Sequence, residues 1–196
     1  MTKPLVVKLC LAQDAEADAF LSEDPFHLMV GMVLDQQVPL EWAFRAPKEL
    51  KRRLGTPLNA RALAPMDPEK LTALFAAKPS LHRYPASMAK RVQALAVELV
   101  EHYHGEATNL WKDVGSGKEL LGRVKALPGF GDQKARIFVA LLGKQLGVRP
   151  DGWADVSAPY GEAGSFRSVA DIVDEGSLIK VREFKKAMKA AAKSAR

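Results

Sequence analysis

The chain has 196 residues, 47% of them hydrophobic and 27% charged, which suits a single soluble domain large enough to bury a core. A lone cysteine, Cys10, excludes an internal disulfide framework, a four-cysteine iron–sulfur cluster and a cysteine-based zinc finger. The net charge of +6 sits at the C-terminus, where Ser177 to Arg196 carry Lys180, Arg182, Lys185, Lys186, Lys189, Lys193 and Arg196 against Glu183 alone.

In chain order, Met1 to Leu11 lacks the long apolar core and small-residue cleavage site of a secretory signal, so a reducing cytoplasm is the expected location. Asp24-Pro25 reads as the N-cap and first residue of a helix carrying Phe26-His27-Leu28-Met29-Val30-Gly31-Met32-Val33-Leu34. That segment is apolar almost all round, which predicts a central buried helix. Its longest apolar run, Leu28 to Leu34, is too short to span a membrane. Pro39 and Pro47 each predict the start of a shorter helix, the second closing at Gly55, and Asp67-Pro68-Glu69 opens another. From about Pro85 to His104, Met88, Val92, Leu95, Ala96, Leu99 and Val100 recur on one helical face, with Gly105 as the cap. Ser116 and Glu119 have capping-box spacing for a helix with Leu120, Leu121 and Val124. A further helix follows Gly131 and ends near Gly147. A polar, Gly/Pro-bearing loop from Val148 to Phe166 then leads through a short helix to the basic terminal one. Strand signals are weak throughout, so the expected fold is all-α. The basic helix fits phosphate binding, and equally a solvated tail.

The segment Leu127-Pro128-Gly129-Phe130-Gly131-Asp132-Gln133-Lys134-Ala135 joins two helices through a turn with two glycines. Glycine permits φ > 0 and lets the backbone approach another surface, and the amides opening the second helix face an anion such as a phosphate. On physics alone this is an αα-hairpin. Its wording resembles the helix-hairpin-helix motif of the HhH-GPD DNA glycosylase superfamily, which includes endonuclease III, the adenine glycosylase and the alkyl-base glycosylases. Upstream, Met32-Val33-Leu34-Asp35-Gln36-Gln37-Val38 resembles that family's buried helix ending in a Gln-Gln step, as in the alkyl-base glycosylases. The resemblance runs from about Asp24 to Asp155.

It implies a two-lobed all-α fold with a cleft. One lobe spans about residues 23–143 and ends in the hairpin; the other combines 1–22 with 144–196. It implies a monomer that binds damaged double-stranded DNA through Gly129, Phe130, Gly131, Gln133 and Lys134, with Gln37 filling the space of a flipped-out base. The family's excision carboxylate follows its hairpin; here Asp155 is the first choice and Asp151 the second. Bifunctional members carry a lysine two residues after the second hairpin glycine. That position is Gln133, which cannot form a Schiff base, and Lys134 is turned about 100° further round the helix, away from it. The implied activity is therefore monofunctional base excision, without a cofactor. A DNA-binding relative without chemistry, recognising damage or DNA shape, and a protein-interaction scaffold are the other readings. His27, His82, His102 and His104 have no metal-ligand spacing. Alkali-metal binding by hairpin carbonyls follows only by analogy. Trp153 and Tyr160 lie where a flipped base would stack, although aromatics more often belong to the core.

Overall fold

Two aspartates start the fold. In the computed structural model, which describes residues 8–194, the Asp14 carboxylate accepts the Ala17 amide at 2.9 Å and opens α1 (Ala15–Glu23). Asp24 accepts the Phe26 amide at 2.8 Å and, with Pro25 in the first turn, opens α2 (Pro25–Leu34). Every residue of α2 from Phe26 to Leu34 is buried, as its continuous apolar character predicts. Gly31 admits the neighbouring helix, since a Cβ there would stand 2.6 Å from Phe44 Cδ1.

That neighbour departs from the sequence expectation. Pro39 and Pro47 do not open two helices; α3 runs unbroken from Leu40 to Leu54, with Pro47 inside it and Gly55 closing it at φ +68°. Proline removes one backbone donor, but Ala43, Phe44, Ala46, Pro47 and Leu50 form one buried face packed on α1 and α2. Burial of that stripe outweighs the lost hydrogen bond.

Next come α4 (Ala60–Leu63), α5 (Pro68–Ala76) and α6 (Pro85–Tyr103), with α4 and α5 packed against α6. Met88, Val92, Leu95, Ala96 and Leu99 of α6 are buried as expected, whereas Val100 lies at the edge of the stripe, 38% exposed. A 3₁₀ turn (Ala107–Leu110) leads into α7 (Gly117–Ala126), where Ser116 Oγ accepts the Glu119 amide at 3.2 Å. The Glu119 carboxylate takes the Gly115 amide, one residue earlier than the capping-box partner.

The hairpin then gives α8 (Asp132–Gln145), followed by the single turn α9 (Trp153–Val156), a 3₁₀ turn (Val169–Asp171) and the terminal α10 (Glu175–Ser194). α9 packs on α7 and α8, and the second 3₁₀ turn packs on α8 and α10. α10 buries only Ser177, Leu178 and Val181; an ion pair between Arg182 and Glu41 ties it to α3. Among the described residues there is no strand, and no helix is long and apolar enough to cross a membrane.

Candidate nucleic-acid interface

The hairpin glycines do different jobs. Gly129 sits at φ +87°, a conformation that suits glycine, and faces inward: a Cβ there would lie 3.2 Å from Val33 Cγ2 of α2. Gly131 has an ordinary φ of −67°, and a Cβ there would meet nothing within 4 Å. The expectation that both glycines serve positive φ therefore holds for Gly129 alone. Between them, Phe130 is a core residue, 3% exposed, its ring 5.4 Å from that of Phe138.

Gly131 opens α8 with no side-chain cap, and the first intrahelical bond runs from the Ala135 amide to the Gly131 carbonyl at 2.9 Å. The amides of Asp132, Gln133 and Lys134 thus have no acceptor within the helix, at its positive end. The acid nearest them, Asp132, is neutralised by Lys125 at 2.8 Å and Arg136 at 2.9 Å, which hold its carboxyl below the usual carboxylate range. An open, uncapped helix start of this kind accepts an anion such as a backbone phosphate.

Beside this helix start lies a cleft of about 510 Å³, lined by the first turn of α8, the end of α2, the 160–169 segment and α10. Gln133 and Lys134 both line it. The expected 100° separation does not send Lys134 away, because the end of α2 lies against that side of the turn. Lys134 Nζ donates to the carbonyls of Met32 at 2.5 Å, Val33 at 3.3 Å and Asp35 at 3.4 Å. It thereby satisfies the orphan carbonyls that end α2. Burial pulls its pKa down to about 8, against the pull of Asp35 and helped by Arg91. Gln133 Nε2 donates to Tyr160 Oη at 2.9 Å, at the rim.

The Gln-Gln step splits in the same way. Gln36 is committed to the fold: its Nε2 donates to Val33 O at 2.7 Å, its Oε1 accepts Arg91 Nη1 at 3.0 Å, and its carbonyl accepts His82 Nε2 at 2.9 Å. Gln37 is exposed at the cleft, at a left-handed φ of +56°, with no side-chain partner among the described residues. A non-glycine residue held in that conformation is strained, and strain of this kind gathers at functional sites.

Neither post-hairpin aspartate lines the cleft. Asp151 and Asp155 are exposed, and their carboxylates hold no partner among the described residues. Trp153 explains their position. Its ring lies so close to α8 that a Cβ on Gly143 would stand 2.2 Å from Cε3, and its backbone presses equally on Gly117. Arg136 Nη1 then holds the Val156 carbonyl at 2.8 Å. Trp153 is thus a packing residue, whereas Tyr160 reaches the cleft.

Three cleft residues escape a reading of motifs alone. Arg167 is set by buried Asp171, which accepts the Arg167 amide at 2.8 Å and Lys144 Nζ at 2.5 Å. Lys185 projects from α10, and Asp35 ends α2. Burial raises the Asp35 pKa, opposed by Lys185 and Lys134. Asp35 lies inside the Met32–Val38 motif, where its place immediately after an all-apolar run is the signal that sets it apart.

A family model described as "HhH-GPD superfamily base excision DNA repair protein" matches residues 30–189. Neither the curated proteins nor the solved structures yield a match.

Proposed function

This chain belongs to the HhH-GPD superfamily of base excision DNA repair proteins, and from that membership we propose that it removes a damaged base from double-stranded DNA as a monofunctional glycosylase. The observation that carries the reading is the adjacency of the uncapped α8 start to the cleft: one end of α8 offers amides to a phosphate and side chains to a base. A cleft of about 510 Å³ falls within the roughly 300–1,000 Å³ typical of small-ligand sites. The target nucleotide has to leave the stack before its glycosidic bond can be reached. Gln37, exposed and uncommitted, is suited to fill the space it leaves. Lys185 and Lys189 bring positive charge to the same opening.

Two side chains support the monofunctional reading. Gln133 offers no amine. The amine of Lys134 is occupied by three carbonyl oxygens, and a nucleophile would have to leave them. Incubation with a panel of damaged duplexes should release free base and leave the strand intact until alkali is added. Borohydride should trap no adduct. An adduct lost in Lys134→Ala would overturn the monofunctional reading; release from no duplex would overturn excision itself. The exposure of Asp151 and Asp155 favours a second reading, a relative that recognises damage without cutting, which would show as binding without release.

A further inference from the structure

We propose that Asp35, at the end of α2, is the catalytic carboxylate of this protein, facing the sugar cation from inside the cleft. The inference rests on the excision reading above and names the group that performs it.

Asp35 differs from the chain's other aspartates. Asp14, Asp24, Asp67 and Asp174 hold amides at helix starts. Asp18 holds the amides of Leu11 and Ala12, Asp132 pairs with two cations, and Asp171 pairs with Lys144. Asp113, Asp151 and Asp155 are exposed. Asp35 is half-buried, lines the cleft, and its carboxylate has neither hydrogen-bond donor nor ion pair among the described residues. It holds nothing in place.

Its position is also electrostatically poor. The C-terminal end of a helix carries partial negative charge, which disfavours a carboxylate there. Burial adds to the cost, and Lys134 of α8 and Lys185 of α10 offset it without bonding to the side chain. A half-buried charge in a cleft, locally unfavourable and with no structural return, is the signature of a group kept for chemistry.

The chemistry balances with water as the only co-reactant. The bond from C1′ to the base nitrogen breaks, and the nitrogen keeps the electron pair. The positive charge left on the sugar is stabilised by the Asp35 carboxylate. Water then bonds to C1′ while Asp35 takes its proton. That proton passes to the departing base, leaving an abasic sugar, a neutral base and the carboxylate restored.

Two duplexes separate this inference from the excision reading, because they need no known lesion. One carries a pyrrolidine abasic analogue, cationic at the ring; the other carries its neutral tetrahydrofuran counterpart. The wild-type protein should bind the cationic duplex at least about tenfold tighter, a preference Asp35→Asn abolishes and Asp155→Asn keeps. On any duplex from which base is released, Asp35→Asn should lower the single-turnover rate by on the order of 10² to 10³, the usual effect of losing a main electrostatic stabiliser. Thermal melting should be preserved, since no hydrogen bond is removed. Asp35→Ser repeats the comparison with less bulk if Asp35→Asn does not fold. A wild-type protein without cation preference, or Asp35 variants that keep both preference and rate, overturns the inference. Transfer of both losses to Asp155→Asn does the same. A cation preference that depends on Asp35, with no base released from any duplex, upholds Asp35 and overturns excision.

Discussion

At its N-terminal end α8 opens on Gly131 with three amides unpaired within the helix, and its first turn turns Gln133 and Lys134 toward a cleft. Beyond its C-terminal end the chain folds back, presses Trp153 onto Gly143 and Gly117, and binds the Val156 carbonyl to Arg136. The first region leaves polar groups uncommitted at the surface; the second spends its groups on holding itself down. One helix thus supplies an anion-receptive site at one end and its support at the other. Substitutions in the two regions should separate accordingly into effects on binding and effects on stability.

Lys134 gives the largest expected effect: within the open region it both lines the cleft and secures the end of α2. Its folded-state pKa of about 8 lies below the ordinary 10.5, so folding disfavours its charged form. The sign follows: the cost is fully present below pH 8 and is relieved as pH rises from about 8 toward 10.5. Asp35 and Arg91 are the charges that act on it. Denaturation of wild type and Lys134→Met at pH 7 and pH 10 should therefore show wild type gaining roughly 2–3 kcal/mol relative to the variant. A difference that does not change with pH would mean the ammonium is well solvated.

Gly143→Ala comes next and tests the supporting end. A new methyl would overlap the Trp153 ring, since the ideal Cβ stands 2.2 Å from Cε3. Overpacking of this kind costs about 1–3 kcal/mol, read as a lower melting temperature. Affinity for undamaged duplex should be unchanged, because the open amides lie at the other end of the helix. A binding loss as large as the stability loss would show that the two ends are not separate.

What was legible in the sequence follows the same division. Asp24-Pro25 and Ser116 act through neighbours a few residues away, and Gly129 through its own positive φ, so local chemistry predicts these roles. Pro47 departs from its local helix-breaking signal because the buried face of α3 outweighs it. Lys134 finds its acceptors about a hundred residues away in sequence, a contact that no local pattern encodes. The order of hairpin, loop and aspartate is readable, but the direction of the Asp155 side chain depends on how Trp153 settles against Gly143 and Gly117 on two other helices. Asp35 falls inside a recognised motif, yet its significance rests on what does not bond to it, which only the folded chain reveals.

The smallest effect on stability gives the sharpest test of the open end. Gly129→Ala and Gly131→Ala add the same methyl two residues apart in the same turn. At Gly129 the methyl meets Val33 at 3.2 Å and is forced to φ +87°, so stability should fall by about 1–2 kcal/mol. At Gly131 the backbone is ordinary and the space is empty, so stability should stay within roughly 0.5 kcal/mol. On the proposed reading, that empty space is where a DNA backbone approaches the amides of α8. Gly131→Ala, and more strongly Gly131→Val, should therefore weaken duplex binding while the melting temperature holds. Fluorescence anisotropy at low salt reads this directly, and wild-type affinity should itself fall steeply as salt is raised. Full affinity in Gly131→Val would place the phosphate contacts elsewhere, with the basic face of α10 the next surface to dissect.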